Sequence, residues 1–458
     1  MNTPARPDVR LVDRERLARL HAREEERFVE LHPRSAELAT EARRHLLAGV
    51  PMPWMTRWPG AFPVFVAEAH GGSFVDVDGH RYVDLCLGDT GAMTGHALDA
   101  VTDAVAERAG RGITTMLPGT DAAWVAAELA RRFGLPNWQM AMTATDANRF
   151  VLRYARHLTG RPKVAVMDWC YHGTVDETLA VLDDDGRVVS RPGAIGPQAD
   201  PATTTRVVPF NDLDALERAL ANGDVAALLM EPALTNIGIV LPEPGYLDGV
   251  REVTRRHGVW LVIDETHTVC AGPGGCTAAW SLDPDVVVIG KPIGGGVPVA
   301  AYGTTADIGG RLSALMADPD VDVSGVGGTL SGNALALAAV RATLANALRE
   351  EDFAVTVPLA GRWTAGVATA IAGAGLDWHV QQLGCRAEYW FCPPPRDGAT
   401  AARAGDRQLE DFMHLWALNR GVLLTPFHNM ALLAPAHTTA DVDLHTDVFT
   451  AAVAALFG

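Results

Sequence analysis

The sequence predicts an α/β protein organised on a mostly parallel sheet, and three observations carry that expectation. Four short apolar runs, at residues 164–167, 226–230, 260–263 and 286–289, end at Asp168, Glu231, Asp264 and Gly290. Runs that are apolar on both faces read as strands buried on both sides, the situation of a parallel sheet covered by helices. Helix-prone stretches separate the runs, as strand–helix–strand units require. Finally, 458 residues with 48% hydrophobic content exceed what one core usually holds, which is about 250–300 residues, so two or more domains are expected.

Taken in order, residues 8–49 are charged and helix-prone, with Leu17, Leu20, Phe28 and Leu31 near helical spacing among acidic and basic neighbours that can pair. This reads as an arm packing on the body or on a partner subunit. Pro51, Pro53, Pro59 and Gly60 break it. FVDVDGHRYVDLCLGD alternates apolar and polar residues around Asp78-Gly79, a hairpin signal. Alternating helices and buried strands begin near residue 97. Beyond residue 337, ALALAAVRATLANAL reads as a helix, 382–391 as a strand, CPPPRDG as a loop and DVDLHTDVFTAAVAALF as a closing helix.

Composition excludes several classes. A net charge of −17 without a basic patch argues against nucleic-acid binding. Cys86, Cys170, Cys270, Cys276, Cys385 and Cys392 form no CxxC pair, so neither a zinc site nor a disulfide framework is expected. MNTPARPDVR lacks an apolar targeting core, and no apolar stretch reaches the roughly 20 residues of a membrane helix. The expectation is a cytoplasmic protein without metal or membrane partner.

The chemistry gathers at the strand ends. Lys291 follows a buried run and precedes Pro292-Ile293-Gly294-Gly295-Gly296. The order is wrong for a phosphate-cradling GxxxxGK[ST] loop. A partly desolvated amine at a strand end is instead suited to nucleophilic bonding with a carbonyl, and glycines beside it admit a flat ligand. Asp264 also ends a strand, where a carboxylate can keep a pyridinium nitrogen protonated. Each residue alone is equally explained as structural: a surface lysine, or an aspartate capping the next turn. Glu231, Asp264 and Lys291 should face one crevice beyond the carboxyl ends of the strands.

Together LVIDETHT, VVVIGKPIGGGVPVAAYG and GGTLSGNALALAA resemble the class III aminotransferases of pyridoxal 5′-phosphate (PLP) fold type I, in particular the glutamate-1-semialdehyde aminomutase-like branch. EPALTNIGIVLPEPGYLDGVRE, CYHGTVDE, DVDGHRYVDL and AHT support it over roughly residues 60–450. The resemblance implies a mostly parallel seven-stranded sheet in a large PLP-binding domain, 97–336. It also implies a smaller α+β domain drawn from both termini: 1–96, with the arm, and 337–458. It makes Lys291 the Schiff-base lysine, Asp264 the pyridinium partner and Tyr171 the ring that stacks on the cofactor. Thr329 would reach the phosphate of the neighbouring subunit's cofactor in a homodimer with shared sites. Glu231 and His172 would support the pocket, with His267 as a structural neighbour and 272–276 as a loop near the cofactor. Thr143, Ala144 and Thr145 stand where the family reads Ser-Gly-Thr at its phosphate-binding helix start, so a glycine is lost although hydroxyls and helix-start amides are kept. A Thr/Asp helix cap without ligand is the competing account of that stretch.

The leading expectation for the reaction is an aminotransferase, passing an amino group from an amine or amino acid to a keto acid or aldehyde by ping-pong kinetics. The alternative is an aminomutase of the glutamate-1-semialdehyde type, and a third reading is a PLP-fold binding protein without turnover. Transfer is favoured because Thr425-Pro426-Phe427-His428-Asn429-Met430 lacks the glutamate that the mutases carry before AHT, and Arg57 in VPMPWMTRW is displaced from their arginine. Arg386, Arg57 and Arg396 are candidate anchors for a substrate carboxylate, although a surface ion pair is the favoured account of each. Trp54, Trp58 and Trp169 are candidates for an apolar entrance.

Overall fold

The computed structural model describes residues 11–197 and 199–458. Its centre is a seven-stranded sheet in the order Asn137–Ala141, Ala300–Thr304, Val286–Ile289, Trp260–Asp264, Val225–Met230, Lys163–Met167, Thr205–Val208. Only Ala300–Thr304 runs antiparallel to its neighbours. The four apolar runs are all strands of this sheet. Val225–Met230 and Val286–Ile289 are buried at every position, because helices cover both faces and no alternation is required. The large, mostly parallel seven-stranded sheet that was expected is therefore present.

A second sheet joins the two ends of the chain. Val66–His70, Ser73–Asp76 and Arg81–Asp84 form an antiparallel meander, and Val422–Leu423 adds to it in parallel. Its hairpin turns at Asp78-Gly79, where Gly79 has φ +90°. A third sheet, His379–Leu383, Arg386–Trp390 and Met430–Leu432, packs beneath the helices Glu350–Gly373 and Thr439–Phe457. The stretch expected as one strand over 382–391 is thus two, split at Gly384-Cys385. Gly384 turns with φ +56°, and a Cβ there would lie 2.0 Å from the Cys270 carbonyl oxygen, so the reversal is locked against the large domain.

The charged amino-terminal stretch forms the helices Arg14–Leu31 and Pro33–Ala42, with positions 8–10 outside the described residues. Leu17 and Phe28 are fully buried, whereas Leu20 and Leu31 are half-buried. The arm lies on the body: Arg14 pairs with Asp406, and buried Glu24 pairs with Arg420 and accepts from Asn419. Among the described residues no helix is long and apolar enough to cross a membrane.

Candidate active site

Every site residue on the large sheet sits just past the carboxyl end of a parallel strand, where open α/β sheets bind ligands. Asp264 ends its strand almost fully buried. Its Oδ2 accepts from His172 Nδ1 at 2.9 Å and from Asn148 Nδ2 at 3.0 Å, and its Oδ1 accepts from the Thr266 amide at 3.0 Å. Burial opposes its ionisation, but the His172 hydrogen bond and charge outweigh burial and hold the carboxyl below its ordinary value. Around it, His172 Nε2, Asn148 Oδ1 and Thr266 Oγ1 are buried without partners. Such orphans are uncommon and point to a missing polar ligand.

The residues expected on the phosphate side lie against the strand end that carries Lys291. Thr143 caps the helix Ala144–Thr159, accepting from the Asp146 amide at 3.1 Å. The 16-residue helix directs its amino-terminal dipole into the crevice. Gly173, after Tyr171-His172, has φ +77°, and a Cβ there would fall 1.8 Å from Thr145 Oγ1. Ala144, which replaces the family's glycine, is accommodated because Gly290 lacks a methyl: a Cβ at Gly290 would stand 3.0 Å from that of Ala144. The strand end that carries Lys291 is therefore packed against the helix start at 143–145.

Lys291 itself has a left-handed backbone, φ +48°, unusual for a residue with a side chain and frequent where function fixes the conformation. Its Nζ donates to Asp89 Oδ2 at 2.7 Å and lies 2.8 Å from His267 Nε2. Neither partner was among the expected site residues, and His267, expected only as a structural neighbour, touches the lysine directly. Asp89 belongs to a turn in which Leu87, Gly88, Asp89 and Thr90 all have positive φ. Gly88 and Gly91 mark a turn there, but nothing in the local sequence says that it faces Lys291. Glu231 is buried, accepts from Thr235 and is pushed up to about 7 by burial, which suits a supporting role in the pocket wall.

Arg386 and Glu388 lie on one face of the strand Arg386–Trp390, both side chains fully buried. Arg386 Nη2 donates to the Thr235 carbonyl at 2.6 Å and to Glu388 at 3.1 Å, while its Nε is buried without a partner. His428 Nδ1 lies 3.1 Å from the other oxygen of Glu388. The carboxylate missing from the stretch 425–430 is thus present in space, supplied across the sheet by the strand that pairs Glu388 with Met430. Arg57 is exposed and forms no side-chain hydrogen bond or ion pair among the described residues, and Arg396 is occupied at the surface by Glu243. Both differ in this from Arg386, which is fully buried. Trp54 stands edge-on to Tyr171 at 6.4 Å and packs on Phe427 at 4.8 Å. Trp169 is turned beneath Arg191. The glycines at 272–276 are not simply a loop: Gly275 begins the short helix Gly275–Ala279, whose first amides bind buried Glu265. Thr329 is exposed and distant in sequence from the helix start at 143–145. Away from this crevice, among the described residues, His32, Asp76 and His80 bring three potential metal ligands together, but Tyr82 and the Phe28 carbonyl already satisfy the two buried ones.

A charged carboxylate with orphaned polar neighbours, a capped helix start and an amine at adjoining strand ends fit PLP. Residues 54–360 match the model of class III aminotransferases. The chain belongs to the class III aminotransferase family. Its cofactor is pyridoxal 5′-phosphate, and it is an enzyme of that family's fold. It is 35% identical over 418 residues to glutamate-1-semialdehyde 2,1-aminomutase of Roseiflexus castenholzii, covering 89% of this chain and 94% of the relative. Among solved structures it is similar to a glutamate-1-semialdehyde-aminomutase from Pseudomonas aeruginosa PAO1, at 51% identity and TM-score 0.95, over 97% of this chain and 99% of that one. A lysine-to-alanine variant of the Pseudomonas enzyme in complex with PMP matches equally, at 50% identity, TM-score 0.95 and the same coverage. An omega-transaminase from Sphaerobacter thermophilus is more distant, at 28% identity and TM-score 0.83, over 93% of this chain and 98% of that one.

Proposed function

We propose that this enzyme is an aminomutase of the glutamate-1-semialdehyde type, moving an amino group between neighbouring carbons of one small substrate, with Lys291 as the covalent carrier. The observation that carries this reading is the near full-length similarity to enzymes named as such aminomutases, which displaces the expected aminotransferase from first place. The main sequence argument against it has weakened, because Glu388 puts a carboxylate against His428.

When bound, PLP supplies an electron sink for the carbon whose proton moves. The chain's residues do the rest. Asp264, fixed by His172, Asn148 and the Thr266 amide, would hold the proton of the ring nitrogen. Tyr171, with Trp54 edge-on to it, would shield the ring from water. Thr143, Ala144 and Thr145 offer hydroxyl and helix-start amides to the phosphate. Lys291, once free, moves the proton at the reacting carbon. Arg386 is the candidate for a substrate carboxylate, its Nε being the donor left over in the Glu388 pair.

Transamination is kept as a second reading on a specific observation: Arg57 is exposed, so residues 51–59 bring no arginine into the crevice as expected of a mutase. The deciding experiment supplies one amino substrate, glutamate-1-semialdehyde, without any keto acid. Many turnovers to the amine-shifted isomer are expected. Conversion of a single equivalent, with accumulation of pyridoxamine phosphate and release of a carbonyl product, would overturn the mutase reading in favour of transfer. No conversion in either half would favour a binding protein.

The assembly is proposed as a homodimer. Thr329 lies in an exposed segment beside Leu330, next to the loop carrying Met116 and Leu117, to which it is tied by the Ala334 amide bonding the Ile113 carbonyl. Apolar side chains clustered in this way usually mark an interface. A particle of one subunit's mass at nanomolar concentration with full activity would refute it.

A further inference from the structure

Lys291 has one immediate partner, Asp89, that none of the motifs carrying the family resemblance contains. Its amine is held by two groups from separate parts of the chain, Asp89 at 2.7 Å and His267 at 2.8 Å. The hydrogen-bond roles can be assigned from valence. An ammonium only donates, so His267 Nε2 accepts from Lys291. The ring proton then sits on Nδ1 and is donated to Thr90 Oγ1 at 2.9 Å. Arg386 Nη1, 3.3 Å from that same Nδ1, faces it without bonding, since a guanidinium also only donates. Both cations therefore favour a neutral His267, and burial acts the same way. Among the described residues Asp89 is the only carboxylate bonded to the amine, and its second oxygen, Oδ1, is buried without a partner there. The turn that presents Asp89 is held at four consecutive positive φ values, a backbone cost that persists only where the surroundings enforce it.

We propose that Asp89 and His267 form a seat for the released Lys291 amine, holding it as an ammonium whenever the lysine is not bonded to the cofactor. The inference rests on the reading of Lys291 as the covalent carrier. With PLP bound, Lys291 is engaged with the cofactor. With the amine form of the cofactor, pyridoxamine phosphate, Lys291 is free and needs a place to rest. The seat stabilises that second state selectively, because only the free amine can place three N–H donors between a carboxylate and an imidazole acceptor. Asp89 and His267 are thus positioning residues, acting on the cofactor only through Lys291.

The test compares how tightly the enzyme retains its two cofactor forms. Enzyme loaded with PLP or with pyridoxamine phosphate is equilibrated by ultrafiltration, and a dissociation constant is obtained for each. Asp89→Asn keeps the shape and removes the charge, and should weaken pyridoxamine phosphate binding by about tenfold or more relative to PLP, the scale of losing a charge-assisted hydrogen bond. Asp89→Ser gives the same comparison should the amide variant fail to fold. In a Lys291→Ala background the Asp89 substitution should have no such selective effect, since nothing is left to seat. Equal weakening of both forms, or a selective loss that persists with Lys291→Ala, would overturn the proposal. Borohydride reduction and peptide mapping of the wild type checks the underlying reading separately: a cofactor adduct on a residue other than Lys291 refutes the carrier assignment, whatever the affinities show.

Discussion

Substituting Glu388 with alanine tests the buried network that lines the crevice. Arg386 and Glu388 are both without solvent contact, and Glu388 accepts from Arg386 with one oxygen while the other lies at His428. Removing the carboxylate leaves a buried guanidinium whose remaining bond is to the Thr235 carbonyl. Breaking one partner of such a pair costs about 3–5 kcal/mol, because the other charge stays buried and uncompensated. Replacing both, as Arg386→Met with Glu388→Leu, removes the charge and the desolvation together and should recover about 2 kcal/mol or more of that loss. The pH dependence has a definite sign. Burial raises the Glu388 carboxyl, and His428 with Arg386 outweighs it, so the folded value lies below the ordinary one. A depressed carboxyl contributes stability that is full above its unfolded value, about 4.3, and fades as pH falls through the folded value. Urea unfolding of the holoenzyme, followed by tryptophan fluorescence at pH 7 and at successively lower pH, measures these differences. A single variant within about 1 kcal/mol of wild type at pH 7, or a double variant as unstable as the sum of its parts, would refute the reasoning.

Lys291→Ala should eliminate the borohydride-trapped cofactor adduct and lower turnover by several orders of magnitude while the chain still takes up pyridoxamine phosphate; mass spectrometry of the reduced enzyme and a single-turnover assay check both. Gly173→Ala places a methyl 1.8 Å from Thr145 Oγ1 at a φ of +77°, which costs about 1–2 kcal/mol in backbone strain before the clash is relieved. Displacement of Thr145 should weaken PLP binding more than tenfold, and unchanged affinity would show that residues 143–145 do not hold the phosphate. Asp264→Asn should leave His172 as a donor without its carboxylate and slow the half-reaction with an amine by about a hundredfold or more, on the scale of removing an electrostatic stabiliser; stopped-flow absorbance reads the rate.

The sequence declared four of the seven strands of the central sheet and marked Asp264 and Lys291 as candidates at their ends. Strands buried on both faces need uninterrupted apolar side chains, so residues 225–230 and 286–289 declare themselves locally, and the polar residue that ends each one is marked by the same contrast. Asp264 and Lys291 were legible for that reason, and the order of motifs around them pointed to the family. Tertiary structure decided what surrounds them. Asp89 reaches Lys291 across 202 positions of chain, on a turn that Gly88 and Gly91 announce as a bend without revealing what it meets. Glu388 was invisible as a partner of His428 because 40 residues separate them in sequence, and only the register that sets Glu388 opposite Met430 makes them neighbours. The reversal at Gly384 was likewise not read from the sequence, since a single glycine inside a strand-like stretch is compatible with one continuous strand, and the turn is fixed by the close approach of Cys270. Periodicity and composition act over a few residues and fix which segments are buried. Charge partners in a crevice are set by which loops the packed strands bring together, and that information resides in long-range contacts.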